Sequence, residues 1–173
     1  GGRIFRVPRF RIYNYFSYRK ALKEFFQKHH EFALVQGHMT STAAIYLPIA
    51  KKAGVKKTAA HARSAGVDKG LKGTMTRFLR RNLADKADYL FTCSELAGIS
   101  VYGEKAVQEG KTIFIPNAID CAGFTFDPEK RKKMREELGL TDAIIIGHVG
   151  RFHYAKNHEY LIRVFAKLCQ MGT

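Results

Sequence analysis

Basic and polar side chains come directly after two of the strands that this sequence predicts. His61, Arg63 and Ser64 lie at or just past the end of the segment KKTAAH, and His38 follows VQG. Open α/β sheets bind ligands outside the carboxyl ends of their strands, and a histidine there can donate to an anionic oxygen or to a sugar hydroxyl. Two structural alternatives stay open, because His61 could instead hydrogen-bond a loop carbonyl and His38 could act as a partial helix cap.

A second candidate is the basic turn GRFHYAK, which follows the apolar segment AIIIGHV. Gly150 allows the backbone to turn sharply. Arg151 offers a fork of donors that suits phosphate oxygens, and Lys156 adds a point charge beside the N-terminus of the next predicted helix. The pattern indicates a diphosphate-binding turn, although basic residues are also common in ordinary surface loops.

Other chemistry is disfavoured by the motifs and the composition. The sequence has no G-x-G-x-x-G, P-loop, H-E-x-x-H or G-x-S-x-G motif, and its 3 cysteines form no C-x-x-C pair, so no metal site is predicted. Its 30 Lys and Arg against 15 Asp and Glu give a formal net charge of +15, which favours anionic partners without choosing among them. No apolar run approaches the roughly 18 residues of a membrane span, so a cytoplasmic protein is expected.

The elements that must position these residues alternate at short intervals between helix and strand, as in a parallel α/β fold. The predicted helices cover about 16–29, 41–53, 74–86, 95–101, 128–138 and 157–170, and the predicted strands cover 32–37, 55–61, 88–94, 112–120 and 143–150. Pro48 is expected to kink or break the second helix. The basic string at 130–133 is balanced by nearby glutamates and is expected to form a solvated helix face.

Four segments together are more specific than any single histidine. They are VQGHMTSTAAIYLPIAKKAGVKKTAAHARS, CSELA, IPNAIDCAGF and IGHVGRFHYAKNHEYLIRVF. In order and spacing they resemble the retaining glycosyltransferases of family 4 with the GT-B fold, particularly the branch that builds bacterial capsular and extracellular polysaccharide. The resemblance implies two Rossmann-like domains facing across a cleft, with the acceptor on the N-terminal domain and the nucleotide-sugar mainly on the C-terminal one.

Carried over to this chain, the resemblance implies a domain organisation. Residues 1–142 would be the second half of the N-terminal, acceptor-side Rossmann-like domain together with the interdomain segment. Residues 143–173 would be the first βα unit of the C-terminal, donor-side domain, in truncated form. The family's glycine-rich loop and its E-x7-E element have no counterpart here. We therefore expect an internal fragment that is inactive alone and can self-associate through its last βα unit.

The resemblance also implies roles for individual residues. His61 would be the catalytic histidine of the cleft, beside the donor sugar. The donor diphosphate would be bound by Gly150, Arg151 and Lys156, and the acceptor side of the cleft would include His38, Arg63, Ser64 and Asn117. In the family's D-x-x-H-x-H pattern this chain has Ala33 and Gln36, which leaves the role of His38 open.

The predicted reaction moves a hexose from a nucleotide-diphospho-sugar, a UDP- or GDP-sugar, to a saccharide or lipid-linked acceptor in polysaccharide biosynthesis. It would need no cofactor and no obligatory metal, because basic groups stabilise the departing diphosphate. The run FRVPRFRIYNYFSYRKALKEFF either contacts the inner face of the membrane or forms a half-buried helix. Two other classes stay open, a basic nucleic-acid-binding module and a non-catalytic interaction domain.

Overall fold

A computed structural model describes residues 2–66 and 70–172, which divide into two units: unit 1, Gly1–Ile119, and unit 2, Asp120–Thr173. The helices of unit 1 are α1 Tyr15–Lys28, α2 Thr40–Lys52, α3 Leu71–Arg80, α4 Glu95–Tyr102 and α5 Glu104–Gln108. Its strands are β1 Leu34–Gly37, β2 Lys57–Ala62, β3 Tyr89–Thr92 and β4 Thr112–Phe114. The helices of unit 2 are α6 Pro128–Glu137 and α7 His158–Gln170.

The strands form one parallel sheet in the order β1-β2-β3-β4. Its register places Gln36 opposite Ala59, Ala59 opposite Tyr89 and Leu90 opposite Thr112. Parallel neighbours require crossover connections, and helices supply each of them here. The predicted α/β class with a Rossmann-like parallel sheet and flanking helices is confirmed, and the carboxyl ends of all four strands meet at one edge.

Helix α2 is the centre of the core, because it is apolar on more than one face. Leu47 packs with residues of the sheet and of α4, while Ile45 and Ile49 pack against α1. The helix runs continuously through Pro48, so the expectation of a break at this proline is wrong. Burial on both sides of the helix offsets the backbone hydrogen bond that proline cannot make.

The aromatic N-terminal run forms a half-buried helix. Tyr18, Leu22 and Phe26 of α1 are buried, whereas Tyr13 and Phe16 are 80% and 85% exposed. The inward face fits the structural alternative for this segment, and membrane contact stays a prediction. In the part of the chain that the structure describes, no helix has both the length and the apolar character to cross a bilayer.

The entrance to β3 is fixed by a carboxylate. Asp88 accepts hydrogen bonds from the backbone N–H of Thr58, at 2.8 Å, and from its hydroxyl, at 2.9 Å. Lys51 at the end of α2 also pairs with Asp88. The Lys51 ammonium is the largest influence and, with the Thr58 hydrogen bonds, lowers the pKa of Asp88 to about 2. One side chain thus joins α2, β2 and β3 at the edge opposite the strand ends.

Several predicted boundaries of unit 1 differ from the structure: the strand expected over 112–120 ends at Phe114, and the helix expected from residue 74 begins at Leu71. The helix expected over 74–86 ends at Arg80, because Asn82 adopts a left-handed conformation with φ of 59°, and a short 3-10 turn follows at Leu83–Asp85. Helix α5 was not predicted. Gly103, with φ of 89°, separates it from α4, and its five residues are too few to show helical periodicity.

The strand predicted over 143–150 is wrong. These residues are irregular, and Ile144 and Val149 are 88% and 98% exposed. A strand needs a neighbour for its backbone groups, and the described part of unit 2 contains no other strand. The Arg135 guanidinium instead binds the carbonyl oxygens of Thr141, at 2.9 Å, and Ala143.

The helices of unit 2 agree with their predicted positions. Asp127 caps α6 through the backbone N–H of Lys130, at 3.0 Å, and Lys133 pairs with Glu137 at 3.9 Å. Because no residue of α6 is buried, its basic string is the solvated face that the sequence predicts. In α7, Val164 and Phe165 are 47% and 49% exposed.

Candidate functional site

His61 lies at the carboxyl end of β2 and is held by a side chain from the neighbouring strand. Side chains two residues apart on a strand share a face. Gln36 is opposite Ala59 in the register, so His61 lies diagonally across from it on the same face. The Gln36 amide Nε2 is 3.0 Å from His61 Nδ1. Since the amide nitrogen can only donate, Nδ1 accepts and the neutral ring carries its proton on Nε2.

The Nε2 side of the His61 ring is buried and unpaired within the described chain. His61 is only 7% exposed, and its Nε2 is buried without a hydrogen-bond partner among the described residues. Burial is the main cause that lowers its pKa, with smaller contributions from His38 and Arg63. His61 is therefore a neutral donor at neutral pH. Its ring nitrogen is bound by a side-chain amide rather than by the loop carbonyl of the structural alternative.

His38 follows β1 and lies beside His61, with 5.3 Å between the ring centroids. It does not cap α2, because the N-cap position is Met39 and no side chain makes a capping hydrogen bond there. Gly37 brings the strand end close to α2. A Cβ built on this glycine would lie 2.7 Å from both the Ala43 Cβ and the Tyr46 hydroxyl. The close approach of β1 and α2 thus places the exposed His38 ring at the strand edge.

The loop after β2 supplies the remaining polar residues of the predicted cleft. Arg63 donates from Nη2 to the Asn117 side-chain oxygen at 3.2 Å, which joins the end of β2 to the segment after β4. Ser64 is exposed. The backbone N–H of Gly66 donates to the Ser100 hydroxyl at 3.0 Å, so α4 fixes the loop. The structure thus brings together two pairs of residues, His38 with His61 and Arg63 with Asn117.

A cleft of about 290 Å³ opens at this edge and is lined by His38, Arg63 and Ser64, whereas His61 and Asn117 are not part of its lining. Its polar lining comprises His38, Thr40, Ser41, Arg63, Ser64, Thr76 and Arg80. The sequence analysis did not identify Arg80, the last residue of α3, because it lies in a helix with other basic residues and follows no strand. Burial lowers the pKa of its guanidinium. The Gln36 contact was also missed, although the period-2 pattern of β1 and β2 could have suggested it.

The basic turn of unit 2 leaves little room for a side chain at Gly150. Gly150 is exposed, and its φ does not lie in the left-handed region. The backbone conformation at this position therefore does not itself require glycine. A Cβ at Gly150 would instead lie 3.3 Å from Cγ of Lys156. Lys156 ends a 3-10 turn whose Ala155 N–H donates to His153 Nδ1 at 3.3 Å. The exposed Arg151 and Lys156 are thus presented on one short turn before α7.

The fold and the strand-edge cleft define a Rossmann-like α/β domain. Over 176 aligned residues the chain is 27% identical to the "Putative glycosyltransferase EpsF" of Bacillus subtilis (strain 168), with 99% of this chain and 46% of that protein covered. It is 26% identical over 141 residues to the GDP-mannose-dependent alpha-(1-6)-phosphatidylinositol monomannoside mannosyltransferase of Mycolicibacterium smegmatis (strain ATCC 700084 / mc(2)155), with 80% of this chain and 36% of that protein covered.

These similarities support a glycosyltransferase family for the chain, which spans less than half the length of either relative. No family model matches the sequence. No solved structure matches it.

Proposed function

We propose that the protein acts in a retaining glycosyltransferase of family 4 with the GT-B fold, which transfers a hexose from a nucleotide-diphospho-sugar. The observation that carries the proposal is the His61 site. A buried imidazole with an unpartnered Nε2 lies at the strand edge where α/β folds bind ligands, in a chain whose relatives are named as glycosyltransferases. In this proposal residues 1–142 contribute the acceptor side with the interdomain segment, and residues 143–173 contribute the donor side.

His61 acts in this mechanism as a positioned donor. The Gln36 amide fixes the tautomer with hydrogen on Nε2, and the lowered pKa keeps the ring neutral. A neutral donor can bind a hydroxyl of the donor sugar without adding a second positive charge beside the oxocarbenium-like transition state. The orientation is preorganised, because Gln36 holds the ring from the adjacent strand and its reorganisation cost is small.

Arg151 and Lys156 act on the leaving group. Charge develops on the nucleoside diphosphate as the glycosidic bond breaks, so donors placed there lower the barrier more than they strengthen ground-state binding. Arg151 can bind two oxygens at once, whereas Lys156 provides a single point charge. A side chain at position 150 would approach Lys156, because a Cβ built on Gly150 lies 3.3 Å from Lys156 Cγ.

The acceptor in this proposal is a saccharide or a lipid-linked saccharide, and the product belongs to polysaccharide or glycolipid synthesis. The mycobacterial relative is named for a lipid acceptor, phosphatidylinositol monomannoside. The exposed aromatic residues Tyr13 and Phe16, in a basic segment, provide a surface for peripheral contact with an anionic leaflet. The proposed location is therefore cytoplasmic, at or near the inner face of the membrane.

A binding experiment tests the donor site directly. UDP and GDP are titrated in parallel with a single-stranded oligonucleotide by calorimetry. We expect saturable nucleoside diphosphate binding that Arg151→Ala weakens, while Arg131→Ala, at an exposed basic position of α6, has little effect. Tight oligonucleotide binding with no diphosphate binding would favour the nucleic-acid alternative and refute the proposal.

A transfer assay tests the reaction. The longest reading frame that contains this sequence is expressed and supplied with UDP- and GDP-hexoses and a membrane extract. The anomeric configuration of the product is read by NMR, and retention is expected. Arg151→Ala should lower turnover by about 10² or more, in line with the loss of one preorganised donor. Arg151→Lys should restore little of it, since lysine cannot bind two oxygens.

A further inference from the structure

The Arg80 side chain has buried N–H groups to which its described neighbours make no hydrogen bond. Its Nε and Nη1 atoms are buried, and neither has a hydrogen-bond partner among the residues that the structure describes. Leaving the N–H groups of a charged group buried and unpaired is costly, because they have lost water without gaining an acceptor. Arg77, an exposed arginine in the same helix, differs, since it donates to the Thr74 hydroxyl at 3.3 Å.

The cleft beside Arg80 has the composition of an anion site. Arg80 and Arg63 both line it, and the guanidinium groups provide the forked donors that match phosphate oxygens. Hydroxyls come from Ser41, Ser64 and Thr76. The 13-residue helix α2 begins at Thr40 in the wall of the same cleft, so the positive end of its dipole favours a negative group there.

We propose that this cleft binds a phosphoryl group, with Arg80 as its principal ligand. A tetrahedral oxyanion can accept from the guanidinium and from several hydroxyls at once, which would satisfy the unpaired N–H groups. A cleft of about 290 Å³ accommodates a phosphate with part of the molecule to which it is attached. Within the described chain, three separate segments contribute polar groups to the cleft: the start of α2, the loop after β2, and α3.

The phosphoryl group is assigned to the acceptor, and this step rests on the proposed function. There the donor diphosphate is already bound by Arg151 and Lys156 of unit 2, so an anion site in unit 1 serves a different molecule. An acceptor carrying a phosphomonoester or phosphodiester would meet these requirements, whereas a neutral oligosaccharide could accept through its hydroxyls but would leave the positive charge of Arg80 uncompensated. The site therefore predicts a phosphorylated or phospholipid-linked acceptor.

The test uses the chain itself and does not depend on sugar transfer. The Arg80 Nε–H resonance is followed in ¹⁵N spectra during titration with inorganic phosphate and with glycerol 3-phosphate, at constant ionic strength. Glycerol is the uncharged control. We expect a saturable shift of this resonance with both phosphates, and none with glycerol. Arg80→Gln should weaken binding tenfold or more, and Ser64→Ala should weaken it by a smaller factor.

The matched control is Arg81→Gln, which removes the same charge from the next residue, an exposed one. Binding within twofold of the unsubstituted chain is expected for this control. If Arg80→Gln and Arg81→Gln weaken binding equally, the anion responds only to the net charge and the proposal is wrong. If Arg80→Gln does not fold, the site is tested by the Nε–H shift in the unsubstituted chain and by phosphate binding to Ser64→Ala. Absence of the shift together with unchanged binding to Ser64→Ala refutes the site.

A third titration separates the two sources of phosphate. If UDP or GDP shifts the Arg80 resonance while glycerol 3-phosphate does not, the site binds the donor and the acceptor assignment is overturned. If glycerol 3-phosphate shifts it and the nucleotides act through Arg151, both assignments hold. Failure of the proposed function would give a different result. The Arg80 resonance would still respond to glycerol 3-phosphate, but no nucleotide binding that depends on Arg151 would be found.

Discussion

Replacing Gln36 with glutamate tests the arrangement that defines the His61 site. The substitution keeps the size of the side chain and exchanges an amide donor for a carboxylate acceptor, 3.0 Å from His61 Nδ1. In the unsubstituted protein Nδ1 must accept, so the ring is neutral with its proton on Nε2. With glutamate, Nδ1 must donate, which favours the imidazolium or the opposite tautomer.

The size of the effect follows from the distance. Two unit charges 3.0 Å apart attract by about 1.4 kcal/mol even at the dielectric constant of water. One pKa unit corresponds to about 1.4 kcal/mol. Gln36 is exposed but His61 is buried, so the effective dielectric constant is below that of water. Gln36→Glu should therefore raise the pKa of His61 by about one unit or more.

The assay is a pH titration of the His61 ring nitrogens by NMR, which reports both the pKa and the tautomer. In the unsubstituted chain the pKa should lie below the usual value near 6.5, with hydrogen on Nε2. Gln27→Glu is the control, because it adds the same charge on the exposed side of α1. An unchanged His61 pKa in Gln36→Glu, or hydrogen on Nδ1 in the unsubstituted chain, would refute the assigned hydrogen bond.

Three further predictions concern stability and are read from thermal melts. Gly37→Ala should destabilise unit 1 by about 1–3 kcal/mol, because its Cβ overlaps its neighbours; Gly147→Ala, where a Cβ would meet no atom within 4 Å, should be nearly neutral. Asp88→Asn should cost about 1–2 kcal/mol at pH 7, discounted for partial exposure. The pKa of Asp88 is lowered to about 2, so its contribution is present above about pH 4 and is lost as the pH falls through 2, and Asp88→Asn should remove this dependence. The lowered pKa of His61 means that the unfolded chain binds its proton first, so stability should decline as the pH falls below about 6.5, and His61→Gln should abolish that decline.

The sheet of unit 1 could be predicted from the sequence because its signals are local. Short apolar runs ended by glycine or polar residues gave β1 and β2 nearly in place, and their parallel order follows from the helices between them. The site residues at strand ends followed from the same reasoning. His38 and His61 were placed after neighbouring strands, and parallel strands end at a common edge, so their contact needed only the correct strand order.

The incorrect predictions concern features that depend on contacts between residues distant in the sequence. The run at 143–150 has the apolar composition of a buried strand, yet strand formation depends on a partner that composition does not reveal. Pro48 has a strong local signal for breaking a helix, and burial of Leu47 and Ile49 on both sides outweighs it. Arg80 lies in the same helix as the exposed Arg77, and only the packing of α3 shows that the Arg80 Nε and Nη1 atoms are buried.

Gln36 and Arg80 share a physical property that explains their importance to the site. Neither side chain is paired within its own element. Gln36 binds His61 on the neighbouring strand, and the Nε and Nη1 atoms of Arg80 have no partner among the described residues. The hydrogen bond from Gln36 fixes the tautomer of His61, whereas the unpaired N–H groups of Arg80 favour a ligand that can accept hydrogen bonds from them. Under the proposed function, the strand edge would combine a donor preorganised by the protein, His61, with a donor that depends on the substrate, Arg80. Because a neutral acceptor would leave the charge of Arg80 uncompensated, we expect this edge to discriminate in favour of a phosphorylated molecule.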